Sequence, residues 1–343
     1  MTESEITEIS EYLVKEKTIC LISHANPDGD AVGSMLAFYA YLKANQLSVS
    51  AILPDAIPDF YQWLPAADEL LFADQDFQLC HDKLQQCDIV FCLDFNGFKR
   101  VGDLEKSLTE TGAIRVLVDH HPNPQGSFDY VLSNTEVSST AELVYELIRS
   151  LGGEGSINLS VAQSVYVGMM TDTGSFNFNS DHPQMYAILQ HLVDLGVKPD
   201  LMHQKVFDNF TESRLRLLGY SLSQKMTVIP QAHVAYIALS KDDLENFNFQ
   251  KGDTEGLVNY PLSIKNVVFA AIFIEKDNMV KISFRSKGSF NANEFASKHF
   301  RGGGHLNASG GKSYHTLKQA VETFESLVNN EFKTELNNAI SKL

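Results

Sequence analysis

The first half of the chain alternates short apolar runs with stretches of helical periodicity, and this alternation limits the fold more than any other feature. Between the first two runs, apolar side chains recur every three or four residues from Val32 to Leu42. Near-continuous apolar strands separated by helices are typical of a mainly parallel sheet that is covered on both faces. The four strand-like runs are 17–24, 48–54, 88–95 and 114–120. The sequence therefore predicts an α/β fold whose N-terminal part is a mainly parallel sheet with helices on both faces.

The remaining patterns predict a smaller C-terminal α/β domain with a mixed sheet. A polar, helical stretch over 201–222 interrupts the strand signals and indicates the connection between two domains. Strands resume afterwards, with a hairpin turn predicted over 276–278 and a final helix from about 315. The helical patterns before the connection are 139–151, 158–171 and 183–195, and the later strands are 233–239, 267–275 and 279–286. The predicted division is a first domain over 1–195, a helical connection over 196–228 and a second domain over 229–343.

The composition restricts the partners of this chain. Its net charge of −16 opposes tight, sequence-independent binding to long nucleic acids. Between Lys281 and His315, however, there are six Lys or Arg residues and one acidic residue, Glu294. This segment could therefore bind a small anion or form a solvated basic surface.

The four cysteines form no C-x-x-C pair and are interpreted as buried free thiols, which suits a reducing cytoplasm. Neither a secretory signal nor a membrane span is predicted.

Side chains able to bind metal follow three of the predicted strands, at the sheet edge where α/β proteins bind ligands. A further aspartate, Asp172, follows the predicted helix 158–171. Each of these residues alone is compatible with a helix cap, a turn or a local hydrogen bond. Their joint occurrence at one edge predicts a metal site. In chain order the residues after the strands are His24, Asp28, Asp30, Asp94, Asp119, His120 and His121.

The types of donor indicate which metal this site would bind. Carboxylates and imidazoles without thiolates favour Mn²⁺ or Mg²⁺ over structural zinc, and the imidazoles shift the preference towards Mn²⁺. Even six ligands from this set would be too many for one catalytic ion, which needs open positions for water and substrate. Two ions about 3.5–4 Å apart that share a carboxylate fit better, and such pairs commonly catalyse in-line displacement at phosphorus. The loop after the first strand is therefore predicted to form half of a dinuclear site.

Four segments resemble the motifs of the DHH phosphoesterase superfamily in order and spacing: SHANPDGDAVGS, the aspartate of CLDFNG, VDHHPN and TDTGSF. The segment RSKGSFNANEFASKHFRGGGHLNASGG, residues 285–311, resembles the DHH-associated domain, which is marked by a glycine run followed by histidine. The resemblance covers essentially the whole chain. In its compact two-domain length, the chain looks most like the bifunctional oligoribonuclease/PAP phosphatase group of NrnA-like nanoRNases.

This resemblance implies a catalytic DHH domain with two Mn²⁺ ions, for which Mg²⁺ or Co²⁺ could substitute, and a substrate-binding second domain. It assigns His24 and Asp28 to one ion, assigns Asp30, His120 and Asp172 to the other, and makes Asp94 the bridge. The implied catalytic residues are Asp94, Asp119, which would orient the histidine beside it, and His121, which would face the substrate phosphate. The residues implied to bind the far end of the substrate are Arg285, Ser286, Arg301, Gly303, Gly304 and His305.

The implied activity is Mn²⁺-dependent hydrolysis of short oligoribonucleotides to mononucleotides, removal of the 3′-phosphate of pAp, or both. The alternative is a phosphodiesterase of the same superfamily that acts on c-di-AMP or linear pApA. A family II inorganic pyrophosphatase is disfavoured because its C-terminal motif is lysine-rich, and a RecJ-type exonuclease would need additional domains. A nucleotide sensor without turnover would lack part of the metal set. Stable binding of long nucleic acids or membranes is not expected, and a homodimer is left open.

Overall fold

The computed structural model of the protein describes residues 3–208, 210–250 and 252–342. The chain divides into two compact units, Met1–Asn209 and Phe210–Leu343. Each unit contains a six-stranded sheet, which is parallel in the first unit and mixed in the second. The predicted α/β class, with a mainly parallel sheet in the first part and a mixed sheet in the second, is confirmed.

The first unit begins with a short helix and then alternates strands and helices. Its elements are α1 (Glu3–Ser10), β1 (Thr18–Ile22), α2 (Gly29–Ala44), β2 (Ser48–Leu53), β3 (Leu71–Phe72), α3 (Phe77–Gln86), β4 (Ile89–Leu93), α4 (Glu105–Glu110), β5 (Ile114–Asp119), β6 (Tyr130–Ser133), α5 (Thr140–Gly152), α6 (Leu159–Asp172), α7 (Pro183–Asp194) and α8 (Pro199–Phe207). The strand order is β3-β2-β1-β4-β5-β6. The direction of this order reverses between β1 and β4, so the loops after these two strands diverge and leave a crevice at their carboxyl ends.

Both faces of the first sheet are buried, which explains its near-continuous apolar strands. In β1, Ile19 and Leu21 join the core on one face, whereas Cys20 and Ile22 join the core on the other. Successive strand residues point to opposite faces, so a strand covered on both sides must be apolar throughout. All four cysteines are free and buried, as predicted. Of the described helices, none is long and apolar enough to cross a membrane.

The second unit is built around a sheet of order β11-β12-β10-β9-β8-β7. Its elements are α9 (Glu212–Tyr220), β7 (Met226–Ile229), β8 (Val234–Leu239), α10 (Lys241–Asn246), α11 (Asn259–Leu262), β9 (Phe269–Glu275), β10 (Val280–Ser286), α12 (Ala292–His299), β11 (Gly303–Gly304), β12 (Ala308–Ser313), α13 (Leu317–Asn329) and α14 (Lys333–Ile340). Strands β8 and β9 are parallel, and the other neighbouring pairs are antiparallel. The predicted hairpin between β9 and β10 is present, closed by a hydrogen bond from Lys276 N to Met279 O of 2.8 Å.

The stretch predicted as one helical connection contains two helices. Helix α8 ends at Phe207, and α9 begins after Thr211, whose side chain accepts a hydrogen bond from Arg214 N. Met202 of α8 is buried in the core of the first unit, whereas Leu217 of α9 is buried in a core of the second. The predicted connection over 196–228 therefore includes helices that belong to the two separate units.

Candidate metal centre

The predicted donors of the first unit meet at the carboxyl edge of its sheet. His24 lies two residues after β1, Asp94 directly follows β4, and Asp119 is the last residue of β5. These strands are neighbours in the sheet, so their ends lie side by side. Asp172 is the last residue of α6, where the sequence had placed it just beyond the helix. The crevice at the reversal of strand order is thus the place where the acidic and imidazole groups converge.

The donors form two groups, and Asp94 contacts both. In the first group, His24 Nε2 lies 3.4 Å from Asp94 Oδ2 and 3.9 Å from Asp28 Oδ2. In the second group, His120 Nε2 lies 3.6 Å from Asp172 Oδ2 and 3.8 Å from Asp94 Oδ1. It also lies 3.8 Å from Oδ2 of Asp30, the remaining donor of this group. The two oxygens of Asp94 therefore face different groups, which is the arrangement of a shared ligand.

The backbone of Asp94 adopts an uncommon conformation. Its φ is +64°, in the left-handed region, and its side chain is 2% exposed. Aspartate and asparagine tolerate this region better than most residues do. Thr140, fully buried at the start of α5, donates its hydroxyl to Asp94 Oδ1 at 2.8 Å. The turn after β4 and the start of α5 therefore fix the shared carboxylate together.

Asp30 does not cap α2, although this was the simplest explanation for its position. Asp28 is the cap, since its Oδ1 accepts hydrogen bonds from Asp30 N and Ala31 N. Asp30 lies within the helix, and its two oxygens accept from the first backbone amides of α5, Thr140 N at 2.7 Å and Ala141 N at 2.9 Å. The amino end of a helix stabilises such a negative charge. Thr140 was not predicted as a site residue; the only signal in the sequence was the run of hydroxyl residues before an apolar helix.

Burial controls the electrostatics of this cluster. It raises the pKa of Asp30 to about 7, and the charge of Asp28 adds to the effect. Burial, together with the charge of Asp30, raises the pKa of Asp94 well above its usual range. Burial also lowers the pKa of His24 and His120, which keeps both imidazoles neutral and able to bind metal. Crowded carboxylates beside neutral imidazoles form a donor set that fits oxygen-preferring divalent cations.

Asp119 contacts a different histidine from the one expected. Its Oδ1 accepts from Nδ1 of His121 at 2.8 Å, whereas the expected partner was the adjacent His120. Residues two apart lie on the same side of an extended chain, so the second histidine is the one that reaches the carboxylate. Asp119 is completely buried, and burial raises its pKa to about 6. This pair fixes the orientation of the His121 ring beside Asp94.

The predicted substrate-binding residues of the second unit lie around β10, β11 and β12. Arg285 is on β10 opposite Ala308 of β12, and the hydroxyl of Ser286 lies 2.7 Å from Phe290 O within the protein. Gly303 and Gly304 form β11, and His305 begins the turn to β12 with a hydrogen bond from its N to Ala308 O. Arg301 has a φ of +46°, and its guanidinium lies 5.2 Å from the centre of the Tyr314 ring. The structure therefore gathers these residues at one edge of the second sheet.

Comparison with known proteins finds a family match in each of the two units. Residues 18–169 match the DHH family, N-terminal domain, and residues 230–334 match the DHHA1 domain. The bifunctional oligoribonuclease and PAP phosphatase NrnA of Thermus thermophilus is 30% identical over 301 residues, which cover 86% of this chain and 84% of that protein. The protein of the same name from Bacillus subtilis is 26% identical, with 90% and 93% coverage.

A solved structure extends the agreement to the whole fold. An exopolyphosphatase-related protein from Bacteroides fragilis is 39% identical, and its structure superimposes with a TM-score of 0.92 over 98% of both chains. The resemblance of the motifs is thus confirmed by matches that span both units. The chain belongs to the DHH family of phosphoester hydrolases, with a DHH domain followed by a DHHA1 domain.

Proposed function

We propose that the chain is a Mn²⁺-dependent hydrolase that degrades short oligoribonucleotides to mononucleotides and removes the 3′-phosphate of pAp. The observation that carries the proposal is the complete donor set, arranged as two groups that share Asp94. Support for the substrate comes from the relatives, which are named for oligoribonuclease and PAP phosphatase activity and align over most of their length. A sensor without turnover would not need both groups.

The two groups of donors divide naturally between two ions. One ion would be held by His24 and Asp28. The other would be held by Asp30, His120 and Asp172, and Asp94 would contact both ions. Ions bound there would supply a nucleophile by lowering the pKa of water, and would offset charge on the phosphoryl oxygens. The hydrogen bonds from the start of α5 to Asp30 and Asp94 orient these carboxylates in advance, which limits the reorganisation needed during the reaction.

His121 is placed to exchange a proton with the substrate. Its Nδ1 lies against the buried Asp119 carboxylate, so Nδ1 carries the proton of this hydrogen bond and Nε2 is the atom that would act on the substrate. A histidine oriented in this way by a carboxylate can protonate a leaving alkoxide or donate to a phosphoryl oxygen. We assign this role to His121, with Asp119 as its positioning residue.

The charge distribution supports short substrates. A chain with a net charge of −16 has one basic segment, between Lys281 and His315, and can neutralise few phosphates. The affinity of a protein for a polyanion grows with the number of phosphates that it neutralises. Arg285, Arg301 and His305 would bind the end of the substrate remote from the scissile phosphate. Such contacts increase the affinity for a dinucleotide or pAp without favouring longer strands.

A substrate series at fixed Mn²⁺ and salt tests this proposal. We expect efficient hydrolysis of pAp and of oligoribonucleotides of about two to five residues, and little hydrolysis of a strand of roughly 50 residues. Cyclic di-AMP belongs in the same series because a related phosphodiesterase would prefer it, whereas linear pApA is a two-residue substrate that both kinds of enzyme would hydrolyse. A preference for cyclic di-AMP over pAp would replace the proposed substrate class, and equal rates on a dinucleotide and on the long strand would contradict the argument from charge.

The glycine run allows a test of substrate binding that leaves the fold intact. A Cβ added at Gly303 would meet Asn293 Oδ1 at an ordinary 3.7 Å, so neither packing nor a positive φ requires glycine there. Glycine in a strand often marks the close approach of a ligand to the backbone. We expect Gly303→Ala to leave the melting temperature within about 2 °C of wild type, and to reduce kcat/KM for pAp by roughly tenfold or more.

Gly304 provides the matched control. A Cβ there would lie 2.5 Å from Ala308 O, and its φ is +149°, so alanine should lower the melting temperature through the hairpin itself. Both variants should be assayed on bis-p-nitrophenyl phosphate, which is too small to reach a remote subsite. Unchanged pAp kinetics in Gly303→Ala would remove this glycine from the substrate site.

A further inference from the structure

An arginine outside the predicted site, Arg100, lies in the turn that follows Asp94. This turn spans Phe98–Leu104, and Arg100 N donates to Gly97 O at 2.9 Å. The Arg100 carbonyl accepts from Ala25 N at 2.8 Å, and the Ala25 carbonyl lies 3.0 Å from Nδ1 of His24. The backbone of Arg100 is therefore connected through a single residue to one of the imidazoles of the metal centre.

The same turn is also attached to the loop after β5. Asn96 Nδ2 donates to Pro122 O at 2.8 Å, and Gln125 N donates to Asn96 O at 2.5 Å. At Gly102 the chain bends sharply, with φ of +58° and ψ of −131°, a conformation that glycine adopts readily and other residues rarely adopt. The turn is thus fixed between the loop that carries His24 and the loop that follows His121.

The backbone position of Arg100 brings its charge near the donor groups. Burial is the main influence on the pKa values of four site residues, and the Arg100 charge contributes to each of them: His24, Asp28, Asp119 and His121. The guanidinium is exposed, and it forms no ion pair with the carboxylates that the structure describes.

A solvated surface arginine is the ordinary explanation for an exposed, unpaired guanidinium. The position of Arg100 argues against it, because its backbone is held beside the donor groups and a cation next to a divalent-metal site weakens metal binding by repulsion. This repulsion is offset if an anion occupies the site together with the ions. Guanidinium donates to phosphate oxygens in a planar fork and remains charged at every physiological pH. A phosphoryl group at the metal centre would supply that anion.

We propose that Arg100 binds a non-bridging oxygen of the phosphoester at the metal centre and stabilises the charge that develops there during hydrolysis. The inference rests on the phosphoester chemistry of the proposed function, and not on the length of the nucleotide substrate. Arg100 thereby differs from the predicted residues of the second unit, which would contact the remote end of the substrate. Loss of Arg100 should affect small and large substrates alike.

The experiment compares Arg100→Ala with Lys99→Ala, which removes the same charge from the neighbouring exposed residue. Arg100→Ala should lower kcat/KM roughly 10- to 100-fold on both pAp and bis-p-nitrophenyl phosphate, the range for loss of a charged hydrogen bond. Arg100→Lys should recover part of this loss, and Lys99→Ala should stay within about twofold of wild type. Calorimetric titration of the metal-free proteins should show Mn²⁺ affinity that is unchanged or higher in Arg100→Ala.

A second measurement does not depend on turnover. In the presence of Mg²⁺, inorganic phosphate should raise the melting temperature of wild type and Lys99→Ala but not of Arg100→Ala. The proposal would be overturned if phosphate raised the melting temperatures of Arg100→Ala and Lys99→Ala equally. It would also be overturned if the lower kcat/KM of Arg100→Ala were explained by weaker metal binding or by unfolding. A metal-loaded wild type that hydrolyses neither substrate would reject the proposed function, while the phosphate-induced shift would still decide the role of Arg100.

Discussion

Asp94→Asn is expected to lower metal-dependent hydrolysis by at least about 10³-fold, because in the proposed site Asp94 would contact both ions and each would be worth several kcal/mol to the transition state. Asparagine keeps the size of the side chain and tolerates the φ of +64° at this position, so the turn should remain folded. The change removes the negative charge and one of the two oxygens that face the two donor groups. Metal content per chain, measured after purification and dialysis against Mn²⁺, should therefore fall together with the activity.

The control for this experiment is His121→Ala. In the proposed site, His121 exchanges a proton with the substrate and is not a metal ligand, so this variant should retain its metal while its rate falls about 10²- to 10⁴-fold. The two variants thus separate loss of metal from loss of proton transfer. Full metal occupancy in Asp94→Asn would remove the bridging role from Asp94, and loss of metal in His121→Ala would make His121 a ligand.

Removing the metal should make the stability of the protein strongly dependent on pH. Burial raises the pKa of Asp30 from 3.8 to about 7 in the folded chain. Below about pH 4 this carboxyl is protonated in both folded and unfolded states, but between about pH 4 and 7 only the unfolded state releases the proton. The folded state is therefore destabilised as the pH rises, by on the order of 4 kcal/mol at about 1.4 kcal/mol per pKa unit.

Melting temperatures of the chelator-treated protein between about pH 5 and 8 measure this effect. Between about pH 5 and 8 the loss amounts to roughly 3 kcal/mol, so we expect a decrease of about 5–10 °C at roughly 2–4 °C per kcal/mol, and recovery when Mn²⁺ is added at about pH 8. The pKa of Asp94 is also raised by burial, and asparagine does not titrate, so the decrease should be smaller in Asp94→Asn. A metal-free protein whose melting temperature does not change over this range would contradict the electrostatic description of the site.

Sequence patterns predicted which acidic and histidine side chains meet in the crevice, because residues that directly follow a strand have a known place in an α/β sheet. Parallel strands share an edge, so residues after β1, β4 and β5 had to meet once the α/β class was assigned. Strands of two residues, such as β3 and β11, escaped prediction because they are too short to show a period. The strand β6 escaped too, since its alternation is weak and its side chains are only partly buried.

The residues that support the donors could not be predicted in the same way. Thr140 contacts Asp30 over a separation of 110 residues and Asp94 over 46, and no local pattern encodes such a pair. Asp30 was a candidate helix cap in the sequence, and only the backbone shows that Asp28 caps the first turn instead. Arg100 lies in a polar turn that resembles any surface loop, and only its attachment to Ala25 reveals its place beside the metal centre.

The hydrogen bonds from the start of α5 also carry a consequence for biosynthesis. A nascent chain that has emerged as far as β5 already contains His24, Asp28, Asp30 and Asp94, but it lacks the helix end that orients the two buried aspartates. Contacts of such long sequence separation form late, because the intervening loop must first be closed. In the proposed site, tight metal binding would therefore await the docking of α5 and α6. The nascent chain would then bind metal tightly only after its whole first domain has been synthesised and folded. Measuring metal binding by ribosome-bound chains of increasing length would show when this happens.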